Sequence, residues 1–406
     1  MLLWACGSSY SPANSPTDAS VLDGAMADAS SSQAPPSEAG VSVDSSASSS
    51  VDAASMGSDA NSTTGDATST TADGSPPATL ALVHYLGRFD TSDSAGPKFA
   101  WPGSAIVATF TGTGIAVQLA DGSTSSASNY FVVVVDGATP NAIQTNSATQ
   151  AYTLASGLAS GQHTIVLTKR TESFVGVVQF LGFQPQGGSL VPSPEPFVRR
   201  IELVGDSITC GYGDLGNGPN CTWSSATEDV TITYGELAAQ QLSAQATVIA
   251  YSGIGVYRNV DGSTTNLMST RFERTLADDP TSQWGFTTPP PDVVVINLGT
   301  NDFGAGDPGQ GYVTAYVALL RQVRQHYANA YIICASSPML GSPSHDTQAS
   351  YLQAAISQFG DARVSYLDFA TQDTTTGLGC DWHPGPLTHQ QMATVLTTQI
   401  RAAVGW

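Results

Sequence analysis

The sequence predicts an α/β domain, a five-stranded parallel sheet between two layers of helices, preceded by an all-β sandwich and a disordered N-terminal tail. Three observations predict it. From residue 199 onward, apolar runs of strand length alternate with stretches of helical period, the pattern of a parallel sheet covered by helices. Between 79 and 184, short alternating or β-branched runs recur between Gly and Asn turns, with no helical stretch longer than a turn. Residues 7–78 are Ser, Ala, Thr, Asp and Gly with scattered Pro and a single aromatic, Tyr10. That composition cannot bury enough apolar surface to offset its ordering entropy.

The chain begins MLLWACGSS, and Leu3-Trp4-Ala5-Cys6 resembles the end of a bacterial lipoprotein signal. The likeness implies that Cys6 is lipidated and that the protein sits at the cell surface or outside the cell. Trp4 is bulky where a small residue is usual, and the charged and apolar parts of such a leader are short or missing. The tail behind it would act as a solvated tether reaching on the order of 45 Å. Residues 1–79 hold nine acids and no Lys or Arg, against 24 acids and 13 bases in the rest of a chain of net charge −20. No basic patch could track phosphates, which argues against a nucleic-acid partner. No apolar run reaches 18 residues, so the only membrane contact expected is through a lipid at Cys6.

Sandwich strands are expected at Ala105–Phe110, Ile115–Leu119, Tyr130–Val135, Ile165–Thr168 and Val175–Phe183, with turns at GTG 112–114 and VDG 135–137. Residues 185–198, rich in Pro and Gly, read as a linker. Parallel strands follow at 200–204, 246–251, 292–298, 331–335 and 363–368. Thr233 and Glu236 have capping-box spacing and open a helix to about Leu242. Val313, Tyr316, Val317, Leu320, Val323 and Tyr327 form one helical stripe over 313–327. Another helix spans 347–359, with Gly360 as its C′ residue. A second capping box, Thr388 to Gln391, opens the last helix, which runs to about Val404.

Cys210, Cys221, Cys334 and Cys380 remain after Cys6, an even number that suggests disulfides in an exported protein. Pairing Cys210 with Cys221 as a local staple and Cys334 with Cys380 near the site is the favoured arrangement. Cys334 as a simple buried thiol is the alternative.

Chemistry concentrates at strand ends. GDSIT at 205–209 follows the first apolar strand, YSGIGVYRN at 251–259 the second and GTND at 299–302 the third, while CDWHPGPLTH at 380–389 precedes the last helix. Open α/β sheets place ligands outside the carboxyl ends of their strands. A serine there needs a base, and His suits neutral pH. Fixed donors aimed at the developing oxyanion lower the barrier further. No HExxH or Cys/His metal spacing appears, so neither a metal nor another cofactor is expected.

These blocks resemble those of the SGNH (GDSL-type) hydrolases. The likeness implies Ser207 as nucleophile, His383 as base, and an oxyanion hole of the Ser207 N–H, the Gly255 N–H and the Asn301 side chain, with Gly253 competing for the glycine role. GDSITCGYG, YSGIGVYRN and DWHPGPLTHQQMA, with KRTE at 169–172 in the sandwich, resemble carbohydrate esterase family 2 over about residues 82–404. That family joins a jelly-roll domain to an SGNH domain and removes acetyl groups from plant polysaccharides, so acetylated polysaccharides or oligosaccharides are the implied partner. Cys380 stands where SGNH enzymes usually carry the triad Asp. Asp381, two before His383, is the candidate third member, and a Ser–His dyad oriented by a backbone carbonyl such as that of Trp382 is the other choice.

Trp382 and Tyr257, with Trp223 behind them, are candidates for stacking on sugar. Asp206 and Asp302 read as hydrogen-bonding support, His389 as surface or supporting residue, and His326 and His345 as bystanders. The sequence thus points to a serine esterase acting on acetylated plant cell-wall sugars through an acyl-serine intermediate. An SGNH hydrolase acting on bacterial glycans or lipids, and a non-catalytic carbohydrate-binding protein, are the alternatives.

Overall fold

A computed structural model describes residues 80–124, 126–375 and 377–406. The expectations for Cys6 and for the tail lie outside these residues. The first described domain contains β1 (Leu80–Ala81), β2 (Val83–Leu86), β3 (Lys98–Phe99), β4 (Ala105–Asp121), β5 (Tyr130–Val135), β6 (Asn141–Gln144), β7 (Thr149–Lys169) and β8 (Val178–Gln186), with short β9 (Leu190–Val191) and β10 (Ser193–Pro194). Its curled antiparallel sheet runs β3-β8-β4-β7-β5-β6, with β2 and β9 also paired to β4.

Two strands run longer than the sequence suggests. Ala105–Phe110 and Ile115–Leu119 belong to one strand, because the GTG at 112–114 forms a bulge rather than a hairpin. Gly112 has φ +134°, and a Cβ there would collide with the Gln186 carbonyl. The bulge redirects β4, so its first half pairs with β2 and β9 and its second half with β8. The VDG turn does form, with positive φ at both Asp136 and Gly137. The stretch expected as a linker is sewn back onto the sandwich, β9 pairing with β4 and β10 with β1.

The α/β domain carries β11 (Arg199–Gly205), β12 (Ala244–Ala250), β13 (Val293–Asn297), β14 (Tyr331–Ala335) and β15 (Val364–Leu367), all parallel, in the order β12-β11-β13-β14-β15. The helices are α1 (Ser207–Cys210), α2 (Tyr234–Gln241), α3 (Met268–Arg271), α4 (Gln310–His326), α5 (Ser344–Phe359) and α6 (Pro386–Val404). Strand residues alternate between two cores. Val294, Ile296 and Ile332 pack with α4 and α5, whereas Val293, Val295 and Ile333 pack with α2 and α6. Burial on both faces explains why these strands read as unbroken apolar runs.

Neither capping box forms. The Thr233 hydroxyl donates to the Val230 carbonyl instead of capping α2. The last helix starts at Pro386, whose ring presets φ for a first helical turn, so Thr388 lies inside it. Gly360 closes α5 in the left-handed conformation, as expected.

The two domains share a core. Trp101 of the sandwich is fully buried among Ile249, Val256 and the α4 residues. Arg88, also buried, donates to the carbonyls of Phe272 and Arg274 and pairs with Glu202 of β11 at 3.4 Å. Glu202 accepts a second bond from Tyr327 at 2.9 Å, so each of its carboxylate oxygens has a partner in this apolar setting.

Candidate active site

Three strands end level with one another. Gly205 of β11 is in register with Ala250 of β12 and Asn297 of β13, so the loops beginning at Asp206, Tyr251 and Leu298 leave the same edge. The turn after Gly205 is tight enough that a Cβ there would collide with Thr209. Asp206 caps α1 by accepting the Ile208 N–H at 3.1 Å. Ser207 is therefore the first residue of a helical turn, and its own N–H has no protein acceptor among the described residues. Burial pushes the Asp206 carboxyl up to about 7, against the lowering effect of its hydrogen bonds to Ile208 and Thr300.

His383 meets this serine. Its Nε2 lies 2.9 Å from Ser207 Oγ, and its Nδ1 lies 3.1 Å from the carbonyl oxygen of Asp381. The imidazole is thus oriented by a main-chain carbonyl one residue earlier than the Trp382 carbonyl considered from sequence. The Asp381 carboxylate points away and accepts from Tyr212 Oη at 3.1 Å and the Trp223 N–H at 2.9 Å. As a direct triad member Asp381 is corrected: its backbone, not its side chain, faces the base. Asp381 and Trp382 both hold positive φ (50° and 65°), an uncommon pair of conformations for non-glycine residues. That twist turns the Asp381 carbonyl toward the ring. Burial lowers the His383 pKa, an effect partly offset by its hydrogen bond to Asp381.

The disulfide expectation is also corrected. Cys221 pairs with Cys380, while Cys210 and Cys334 are buried free thiols. Cys380 is delivered to Cys221 by the bond from its N–H to the Gly213 carbonyl and by that from Asp381 N–H to the Cys221 carbonyl. Proximity in sequence misled, because loop-closure entropy grows slowly with length and the folded geometry decides. Cys210 instead faces Glu172 from the underside of α1. Cys334 sits within the sheet, with burial pushing its thiol up to about 12.

Of the expected oxyanion donors, Asn301 is buried with Nδ2 2.8 Å from the Ile254 carbonyl and 3.4 Å from Asp206 Oδ2. Gly255 donates its N–H to Asn259 Oδ1 at 3.0 Å, and a Cβ on it would collide with the Arg258 carbonyl. The Gly253 N–H has no protein acceptor among the described residues, and its φ is +78°. Asp302 supports this loop by accepting the N–H groups of Val256, Tyr257 and Arg258 at 2.7–3.1 Å.

Trp382 is half exposed beside the base, and its carbonyl accepts from Gln372. Tyr257 packs closely on Gly311 of α4. An aromatic row leads away from His383: Tyr212 at 4.3 Å, then Trp223, then Phe174, then Tyr251. Tyr212 and Phe174 were missed from sequence. Tyr212, in the GYG after the nucleophile, carried a usable signal; Phe174 carried none, because it arrives from the sandwich. His389 is not a surface residue. It is buried, accepts the Tyr234 N–H, and is held at about 3 by burial and by His383. His326 and His345 bond to Glu273 and the Phe369 carbonyl and take no part in the serine–histidine contact.

The sequence signature described as "Carbohydrate esterase 2 N-terminal" covers residues 85–194, and that of the "GDSL-like Lipase/Acylhydrolase family" covers residues 203–391. Cellulase/esterase CelE of Acetivibrio thermocellus is 41% identical over 80% of the chain, which spans 40% of that longer protein's length. An acetylxylan esterase/glucomannan deacetylase of Cellvibrio japonicus is 27% identical over 80% of the chain and 89% of its own length. A solved family two carbohydrate esterase from Clostridium thermocellum, in complex with cellohexaose, superposes with a TM-score of 0.76 at 41% identity, covering 80% of this chain and 99% of that one. With both domains matched and a serine and histidine in contact at the strand ends, the chain belongs to carbohydrate esterase family 2.

Proposed function

We propose that the protein removes O-acetyl groups from plant cell-wall polysaccharides, xylan or glucomannan or their oligosaccharides, through an acyl-serine intermediate. The observation that carries this reading is the 2.9 Å contact between Ser207 Oγ and His383 Nε2, with Nδ1 tied to the Asp381 carbonyl. His383 takes the serine proton as Oγ attacks the acetyl carbonyl, and returns it to the departing sugar hydroxyl. The Ser207 N–H, the Asn301 amide and an N–H of the 253–255 loop stabilise the oxyanion, where each donor is worth roughly 10²–10³ in rate. Water then attacks the acetyl-serine with His383 again as base. Asp381 contributes its carbonyl, so the machine is a dyad.

The substrate class rests on the named activities of the relatives, two of them acetylxylan esterases/glucomannan deacetylases. Trp382, half exposed next to His383, and Tyr257, partly exposed in the 251–259 loop, are suited to stack on sugar rings. We also propose that Cys6 is a lipid anchor holding the enzyme at a bacterial surface. Acetate release from acetylated xylan and glucomannan oligosaccharides, wild type against Ser207→Ala, tests the reading. The variant is expected to lose at least about 10³-fold while keeping its fold; full activity in a folded Ser207→Ala protein overturns it.

A further inference from the structure

The KRTE segment at 169–172 belongs to the sandwich, yet the Arg170 and Glu172 side chains reach hydrolase loops. Arg170 donates to the carbonyls of Ser225 and Ala226 at 3.2 and 2.7 Å, in the loop that carries Trp223 and Cys221. Lys169 is fully buried and donates to the carbonyls of Thr171 and Glu172. Glu172, also fully buried, crosses to the start of the oxyanion loop. Its two carboxylate oxygens accept the Ser252 N–H at 2.8 Å and the Ser252 hydroxyl at 2.6 Å. Cys210, the last residue of the nucleophile's helical turn, approaches the same carboxylate at 3.5 Å. One side chain thus touches both the turn that begins with Ser207 and the residue next to Gly253.

Glu172, Cys210 and Glu228 cluster closely enough to suggest a metal site among the described residues. The buried Lys169 ammonium lies near Glu228 and Glu172 and feels their charge, while its hydrogen bonds go to the Thr171 and Glu172 carbonyls. Burial and the neighbouring Glu172 push Glu228 well up. Burial raises the Glu172 pKa as well, and its bonds from the Ser252 N–H and hydroxyl and from Cys210 oppose that rise. Two bonds to a carboxylate inside a low-dielectric interior are strong and directional.

We infer that Glu172 of the sandwich is a positioning residue for ester hydrolysis, fixing Ser252 and thereby the adjoining Gly253 N–H against Ser207. The sandwich is then a working part of the active site and not only a neighbour. This inference rests on the proposed serine mechanism. It requires the loss to fall on the chemical step, since a misplaced donor weakens transition-state contacts without altering sugar contacts.

The test measures kcat and KM for acetate release by the full chain. Glu172→Gln keeps the volume but replaces one acceptor oxygen with a donor, and should lower kcat about 10- to 100-fold with KM within two-fold. Ser252→Ala, which removes only the hydroxyl donor, should lower kcat several-fold. The double variant should be little worse than Glu172→Gln alone, because both changes break one contact. Asp136→Asn, which weakens the remote ion pair to His163, should leave kcat unchanged whatever it does to thermal stability. Unchanged kcat in folded Glu172→Gln, additive losses in the double variant, or a loss that tracks melting temperature and also appears in Asp136→Asn overturns the inference. Ser207→Ala, assayed alongside, separates the two failures: an active Ser207→Ala protein sinks the serine mechanism itself. An inactive one with unimpaired Glu172→Gln sinks only the role of Glu172.

Discussion

The serine and the histidine reach their contact by opposite means. Ser207 stands at the end of an interior strand whose two neighbours stop at the same level, so sheet register sets its place. His383 rides on residues 368–385, which link β15 to α6 and lie outside the parallel sheet. Its place is set by the Cys221–Cys380 bridge, two positive-φ residues and a handful of hydrogen bonds. The difference separates what a fold supplies from what loops must add. The sheet side should resist perturbation, and the histidine side should depend on each of its restraints.

The largest effect beyond removing the nucleophile belongs to the sheet side. Asn301→Ala deletes an amide donor without touching the strand that positions it. Expected is a fall in kcat of roughly 10²–10³-fold at unchanged melting temperature. A loss of less than about three-fold would mean that Asn301 is a structural cap on the Ile254 carbonyl and not an oxyanion donor. Next comes the bridge. Reduction, or Cys221→Ser, should cost about 2–5 kcal/mol of stability and lower kcat by roughly ten-fold as the base drifts from the serine. Cys210 and Cys334 are buried thiols, so among the described residues this bond is the one a mild reductant breaks. Equal activity with and without the bridge would show that hydrogen bonds alone hold the histidine segment.

The same contrast explains how far the sequence could be read. The five strands and their order of motifs are visible because burial on both faces forces apolar runs, and Gly205-Asp206-Ser207 at the end of one of them has a physical reason to be there. His383 was found, but not how it is oriented. The roles of Asp381, Trp382 and Cys380 depend on backbone twist and on which loops approach, and neither leaves a periodic trace. The Cys210–Cys221 pairing failed for that reason. The long strands of the sandwich were cut short because a Gly-Thr-Gly bulge and a hairpin turn use the same residues. Phe174 and Glu172 show the remaining limit: residues that cross from one domain to another have no local pattern to announce them.

Acidity offers a smaller test of the histidine side. Protonated His383 cannot accept the serine proton, so activity falls as pH drops through its pKa. Burial holds that pKa below the ordinary value of 6.5, and no ionised carboxylate sits on Nδ1 to raise it. The midpoint of the kcat/KM profile on its acid limb is therefore expected below 6.5. His389, held at about 3, lies outside the range. A midpoint at or above 6.5 would require a charged partner for the imidazole and would return Asp381 to the triad.

The smallest expected effect is the most discriminating. In a Ser-His-Asp triad, changing the Asp to Asn costs about 10⁴ in kcat by favouring the wrong imidazole tautomer. Here Asp381→Asn leaves the carbonyl that faces Nδ1 in place, and an Asn oxygen can still accept from Tyr212 or the Trp223 N–H. Asn also tolerates the left-handed conformation that residue 381 adopts. The loss in kcat should stay within about three-fold, and the acid limb should not move. A fall near 10⁴ would show that the carboxylate turns onto Nδ1 during turnover, making the histidine side as dependent on one charged group as a triad is. A small loss confirmed with both kcat and the pH profile would establish that a twisted pair of residues, held by a bridge and two hydrogen bonds, does the orienting that a buried carboxylate does elsewhere.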